Sequence, residues 1–388
     1  FGACGCGGII STGSTVNFSG GGPYVLVGDQ IATLDPTAFA LADKSLMDFS
    51  GFISSLLGNR FGEFAFTGST PTAFAPAYNG IVDGANTAIG NALAYAGDSR
   101  VPNAMAADRA SGIAVWSKGF VGGRHQDADG PNLGAGSLAY GGAVGLDRQF
   151  TAALRLGAFL GAGNGRLNVD SGSQTVKTDY AFGGVYGRYN WAAQFLDFAV
   201  TGGSMGNSSN RTVADNINGL QTASASYNGW FVSPELATGI HIPQGANVVM
   251  TPTARIRYLA GGLDGYSEAG SAQNLTVASR VMQNVEERIE LAFERTDPLK
   301  QGVLKTITTI GVLGQERLGS TTINTVLIGQ PLSFAATGAN DVAGGYLGLG
   351  FDYRMTQRIN LFAAVEATVR SDLSQTGIAQ GGLRIALD

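Results

Sequence analysis

The sequence predicts an all-β fold: a twelve-stranded antiparallel transmembrane β-barrel preceded by one α-helix. Three observations carry it, namely a shortage of charge, strands with one apolar face, and connections that alternate in length. Charged residues are 14% of the chain and hydrophobic ones an unremarkable 44%, with 59 glycines among 388 residues, whereas ordinary soluble domains are roughly 25% charged. Charge is missing and apolarity has not replaced it, so much of the outer surface is expected to face something other than water. The longest apolar runs fall far short of the ~18 residues of a membrane-spanning helix. Strands that cross lipid must close into a barrel, because an open edge leaves backbone groups without partners.

The strands are read from their alternation. In INLFAAVEATVR the odd positions Ile359, Leu361, Ala363, Val365, Ala367 and Val369 are apolar, while Asn360, Glu366, Thr368 and Arg370 hold the even face. Successive side chains of a strand point to opposite faces, so the odd face is assigned to lipid and the even face to a polar lumen. MTPTARIRYLA sets Thr251, Thr253, Arg255 and Arg257 against Met250, Pro252, Ala254, Ile256 and Tyr258. VEERIELAFE sets Glu286, Arg288, Glu290 and Glu294 against Val285, Ile289, Leu291 and Phe293, with Glu287 expected at the rim. YAFGGVYGRYN stays ambiguous, because aromatic residues and Arg188 share its even face. Strands are expected near 112–122, 138–149, 152–165, 177–190, 193–205, 225–242, 247–261, 281–295, 303–315, 342–355, 358–370 and 376–387. The candidate lumen-lining residues are Arg255, Arg257, Glu286, Arg288, Glu290, Glu366 and Arg384. Their arginines either hold the helix through Glu286, Glu290 or Asp48, or pair only across neighbouring strands.

The connections after strands 2, 4, 6, 8 and 10 are tight, as in DRQFTA, NWAA, PQGAN, TDPLKQG and MTQR. Those after strands 1, 3, 5, 7 and 9 are expected to be long, among them GNSSNRTVADNINGLQTASA and GQERLGSTTINTVLIGQPLSFAATGAND, and the one after strand 11 is shorter. Outer-membrane barrels place short turns on one rim and long loops on the other in this way.

Ahead of the barrel, TLDPTAFALADKSLMDFSGFISSLLGNR offers Asp35 as N-cap and Pro36 as first helical residue, the favoured order for a helix start. Phe39, Ala42, Leu46, Phe49, Ile53 and Leu56 then fall three and four apart along one stripe, and Gly58 with Asn59 is read as the stop. From Pro36 to Leu57 such a helix runs roughly 33 Å, about the thickness of a bilayer's hydrocarbon core. Asp43, Lys44, Asp48 and several serines interrupt it, which suits a protein-lined or wet channel better than lipid. A second, weaker helical candidate spans residues 81–97. The expected division is 1–30 as a short surface segment, 31–60 as the helix segment, 61–111 as a linker and 112–388 as the barrel.

A net charge of −5 without a basic cluster argues against nucleic acid. A start at Phe1 rather than Met points to removal of something upstream. Cys4 and Cys6 are too few for a disulfide framework or a zinc site, which leaves free thiols or a strained local disulfide. His125 lies near Asp127 and Asp129 in GGRHQDADGPN, a set able to hold a cation and equally an ordinary hydrated loop; His241 is read as interfacial. Two histidines without a triad order leave catalysis unsupported, and no metal or cofactor is expected. GAGNG at 161–165 is not read as a phosphate cradle, since no helix follows it.

On ATLDPTAFALADKSLMDF, VWSKGFVGG, AYGGAVGLDRQF, DYAFGGVYGRYN, YNGWFVSPELATG, GLGFDYRMTQRINLFAA and the terminal QGGLRIAL, the chain resembles the autotransporter (type V secretion) translocator family across about residues 31–387. The resemblance implies a barrel whose helix, with Pro36, Phe39, Ala42, Leu46, Phe49, Ile53 and Leu56, threads the pore as a plug. It implies that residues 1–30 are the tail of a passenger and that the barrel helps export and anchor that passenger at the cell surface. The last strand resembles the family's assembly signal at Gln380, Gly382, Ile385 and Leu387. Two departures stand out: Leu387 and Asp388 replace the usual aromatic end, and about fifty residues separate the helix from strand 1, so helix 81–97 is an alternative plug. The implied location is the bacterial outer membrane with the N-terminus extracellular. The implied partners are outer-membrane lipid and lipopolysaccharide, the barrel-assembly machinery and the chain's own passenger. A free-standing outer-membrane pore or structural protein is the alternative, and an outer-membrane hydrolase a more distant one.

Overall fold

Each of the two-faced segments pairs with the next in sequence, and the last returns to the first. The computed structural model describes residues 9–10, 24–27, 30–68, 113–129, 132–215, 217–245, 247–336, 338–356 and 358–387. The wall comprises β1 (Ile113–Gln126), β2 (Ala135–Gln149), β3 (Leu154–Val169), β4 (Gln174–Trp191), β5 (Gln194–Asp215), β6 (Gly219–Ile240), β7 (Val248–Leu263), β8 (Arg280–Pro298), β9 (Val303–Arg317), β10 (Asp341–Arg354), β11 (Ile359–Arg370) and β12 (Ser374–Ala386). All neighbours are antiparallel, and β12 closes on β1 with Ile385 opposite Val115.

The register fixes the shape of the closed sheet. Paired residues followed round the wall from Val248 pass through Arg295, Thr306, Phe351, Ala363, Gly381, Gly119, Gly142, Ala162, Ala181, Ser204 and Trp230. They return to β7 at Gly262, a stagger of fourteen residues. At about 3.3 Å per residue and about 4.8 Å between strands, that stagger tilts twelve strands by roughly 40°, inside the usual barrel range.

Expected strand faces hold. Val365 and Val369 are exposed on the outside of β11, while Thr368 and Arg370 are buried inside. The ambiguous β4 resolves the same way: Tyr180, Phe182, Tyr186 and Arg188 are buried inward and Val185 and Tyr189 exposed outward. Glu287 is exposed on the outer face but lies within β8, opposite Ile256 and Gly314, rather than at the strand's end. The strands run on beyond the lipid-facing band, so the edge of the band falls in mid-strand.

The same overrun corrects the loop lengths. The connections after β3, β5 and β11 are only short turns, and most of GNSSNRTVADNINGLQTASA is strand. Alternation there continues in different chemistry: Ser208, Asn210 and Thr212 are exposed, while Ser209, Arg211 and Val213 are buried. Loss of apolar character marks the end of the band, not the end of the strand. The two loops that are long, after β7 and β9, build a second sheet from Tyr266–Ser267, Leu275–Val277, Thr322–Leu327 and Gln330–Ala335. Ile328 and Gly329, both at positive φ (51° and 70°), turn its hairpin, as a two-residue hairpin loop requires.

That small sheet is a lid. Its buried face carries Leu275, Ile323, Leu332 and Phe334 onto Leu34 and Phe39 at the start of the helix, with Phe39 edge-on to Phe334 at 5.5 Å. Asp35 caps the helix as expected, its Oδ1 accepting from the Thr37 backbone N–H at 2.9 Å, and the Ala40 N–H donates to the Pro36 carbonyl. The helix α1 (Thr37–Gly68) does not stop at Gly58. A Cβ at Gly58 would lie 3.3 Å from the Arg255 guanidinium, so this glycine makes room for a side chain and does not break the helix. The candidate helix 81–97, Cys4 and Cys6 lie outside the described residues.

Candidate functional site

The lumen is built in two sectors, and α1 is amphipathic to match both. One sector is aromatic: Trp116, Phe120, Phe159, Tyr180, Phe182 and Phe231 point inward and bury Leu46, Phe49, Ile53 and Leu56 of the helix. Phe49 stacks on Tyr180 at 3.6 Å and meets Phe120 and Phe182 edge-on at 5.7 Å. These rings lie over glycines of adjoining strands. A Cβ at Gly161 would come within 2.4 Å of Phe182, and one at Gly145 within 2.4 Å of Trp116. Glycine in this wall is therefore seating for aromatic rings. All the expected stripe residues are buried apart from Ala42, which is half-buried, and Met47, Phe52 and Leu57 are buried with them.

The other sector is charged and meets the helix face made by Ser50, Gly51, Ser54 and Gly58. Arg257 donates to the Met47 carbonyl at 3.3 Å, to Ser50 Oγ at 2.9 Å and to Glu286 at 2.8 Å. A Cβ on Gly51 would lie 3.1 Å from that guanidinium. Arg255 donates to Ser54 Oγ at 3.2 Å and pairs with Glu235 at 3.3 Å and Glu290 at 3.9 Å, while Ser54 donates to Glu235. Gly51 and Gly58 are thus shelves, two helical turns apart on one face, for two arginines on one face of β7. Arg288 does not reach the helix; it pairs with Glu286 on its own strand at 3.1 Å and with Glu366 of β11 at 3.0 Å. Arg384 is buried on the inner face of β12. All seven candidate residues lie on inner faces of the wall; Arg255 and Arg257 reach the helix and Arg288 does not.

Asp48 is paired instead with arginines outside the four expected to line the lumen. Arg124 grips it with two bonds, at 2.7 and 3.0 Å, and Arg370 lies 3.7 Å away. Nearer the lid, Lys44 pairs with Asp372 at 2.6 Å and Asp43 with Arg317 at 2.7 Å. Towards the turns, Lys118 donates to the Leu56 carbonyl at 2.9 Å with its ammonium 4.1 Å from the Phe362 ring. Sequence reasoning passed over Arg124, Lys118, Arg317 and Asp372. VWSKGF held a usable signal, since Lys118 shares a face with Trp116 and Phe120 and a lysine at that depth must point inward.

Between the charged sector and the helix lies a water-sized gap, lined by Gly51, Ser55, Arg288, Glu290, Glu294 and Gln380 among others. His241 lines it too, stacked on Phe195 at 5.1 Å with Nδ1 3.1 Å from Thr251 Oγ1, so it faces the turn-side end of the lumen and not the lipid interface. His125 is exposed, 3.2 Å from Asp127, and among the described residues no group of three or more His, Cys, Asp or Glu is placed to hold a metal ion.

Asp372, in the β11–β12 turn, gives a pH prediction. Burial works against its charge, but hydrogen bonds from Lys44 and Ser374 and the nearby Arg124 outweigh that and lower its pKa to about 2. A carboxyl depressed on folding contributes stability that is present above its ordinary value near 4 and is lost as pH falls toward 2. Protection from hydrogen exchange in the first turns of α1, taken relative to unstructured amides at the same pH, is expected to fall on acidification across that window, and Asp372→Asn is expected to show the lowered protection already at neutral pH.

The family model described as the autotransporter β-domain matches residues 115–366, well over half of the chain. The chain belongs to this family. The translocator domain of the autotransporter NalP from Neisseria meningitidis is similar at 18% identity and a TM-score of 0.58, over 78% of this chain and 95% of that one. The β-domain of the Bordetella autotransporter BrkA is similar at 16% identity and a TM-score of 0.56, over 71% of this chain and all of that one. At these identities the two structures speak for the fold. A comparison with curated protein sequences returns no match. The autotransporter family and the closed twelve-stranded barrel together make this chain an outer-membrane translocator barrel.

Proposed function

We propose that this translocator exports the chain that precedes residue 34 and then anchors it, with the N-terminus outside the cell. The observation that supports the reading is the path of the chain. Leu34 and Phe39 lie under the lid at the long-loop end of the barrel, while Leu56 lies beside Lys118, towards the turn rim. Long loops face outward in outer-membrane barrels, so whatever precedes Leu34 lies outside and α1 is the segment left in the pore. Export needs no catalytic group, and the reading assigns none. A protease-sensitive tag fused ahead of Phe1 is expected to be cleaved by protease added to intact cells. A tag protected until the outer membrane is broken would favour a free-standing pore of inverted orientation.

In this reading α1 is the plug, Arg255 and Arg257 seat it, and the end of β12 is what the barrel-assembly machinery reads. Gln380 and Gly382 face the lumen, the latter under the Phe362 ring, while Ile385 and Leu387 are exposed outward. The outward pair is available to a partner before lipid covers it. Leu387→Asp is expected to lower the amount of folded barrel in the outer membrane several-fold, measured by immunoblot of membrane fractions. Unchanged levels would remove Leu387 from the signal.

A further inference from the structure

We infer that Arg166 and Lys177 form a docking site for a phosphate monoester on the headgroup of an outer-leaflet lipid. The inference rests on the outer-membrane location, not on export. The two residues are directly opposite each other on β3 and β4, and both are exposed on the outer face. Like charges directly across a strand pair repel, so the wall gains nothing from this pairing by itself. Lys177 makes no hydrogen bond or ion pair among the described residues. Arg166 spends only its Nε, on Asn168 Oδ1 at 2.8 Å.

Their height on the wall names the ligand. Below them on the same two strands the outer face runs through Leu156, Leu160 and Val185 to Tyr189 and Trp191 at the turn end. Tyrosine and tryptophan mark a membrane interface. Arg166 is twelve residues beyond Leu154, which at a tilt of roughly 40° is about 30 Å of height, while the apolar band of such barrels is about 25 Å tall. The cation pair therefore stands at the headgroup level of the outer leaflet. One step nearer the band, Asn164 hydrogen-bonds Asp179, the one carboxylate beside the pair on these strands. Elsewhere the loop-side edge of the band is acidic, with Glu287 and Glu316 exposed outward on β8 and β9. Among the described residues no other Lys or Arg faces outward near that edge. A phosphate monoester carries enough charge to offset both cations, and a guanidinium and an ammonium at cross-strand distance converge on one.

The test is native mass spectrometry of the detergent-purified full chain with diphosphoryl lipid A as the probe, alongside the same lipid with its phosphates removed. At about five-fold in affinity per surface cation, Arg166→Gln combined with Lys177→Gln is expected to weaken binding of the diphosphoryl lipid about 25-fold. Arg295→Gln, at the turn end, is expected to leave it unchanged. Heat-modifiable gel mobility would confirm that each variant is folded. Equal binding by the double variant and the native chain would overturn the site, as would equal binding of the dephosphorylated lipid. Displacement by inorganic phosphate as readily as by the lipid would reduce it to an ion site and overturn the lipid assignment. Because binding is measured without export, its failure leaves the translocator reading untouched, and the reverse holds too.

Discussion

Deleting residues 1–60 is expected to raise conductance in planar bilayers several-fold. A twelve-stranded wall tilted by roughly 40° has a backbone radius of about 12 Å, and a helix with its side chains is about 10–12 Å across, so α1 is the larger part of what fills the lumen. What remains unfilled beside it is the gap on its Gly51–Gly58 face. The lumen is closed above this by the ties of Asp48 to Arg124, Lys44 to Asp372 and Asp43 to Arg317. Removing the helix removes all three at once. It also bares Trp116, Phe120, Tyr180 and Phe182 to water and takes Asp48 from Arg124 and Asp43 from Arg317, so the open barrel is expected to melt lower than the plugged one. Deleting residues 1–30 alone leaves α1 and its cap in place and is expected to leave conductance unchanged. No rise on deleting 1–60 would mean that the lid, and not the helix, closes the pore.

What was legible in the sequence follows from where one physical rule acts alone. Within the band the wall separates lipid from lumen, so β11 and β7 carry a clean period of two and their inward residues could be named from the sequence. Beyond the band both faces meet water or protein, and the outward Ser208, Asn210 and Thr212 removed the contrast that marks a strand; the overrun of β5 and β6 was invisible for that reason. The lid hairpin was missed because its Ile323, Thr325 and Leu327 alternate against loop residues distant in sequence, although Ile328-Gly329 was a readable turn. The aromatic half of the lumen contradicts the simple rule that inward means polar. Facing a helix rather than water, inward Tyr180 and Phe182 obey core packing, and only the glycines beneath them hint at it. The partners of Asp48 were out of reach, because Arg124 lies seventy-six residues away in sequence and register alone decides that they meet.

Val365→Arg and Ala364→Arg, adjacent in sequence, are expected to differ in cost by several-fold. Val365 is 52% exposed on the outer face of β11, opposite Leu349 and Ala379, and Leu349 is exposed beside it. It therefore sits well inside the apolar band, where an arginine costs roughly 2–4 kcal/mol. Ala364 lies on the inner face, opposite Gly350 and Gln380, and lines the same gap with Glu290 and Glu366. An arginine there keeps water and finds a carboxylate, so its expected cost is below about 1 kcal/mol. Reversible denaturant unfolding in lipid vesicles measures both on one scale. Equal losses would mean that the odd face of β11 does not see lipid. A larger loss at Ala364 would mean that the gap is too tightly closed for a new cation, which would also weaken the expectation that this side of the helix holds water.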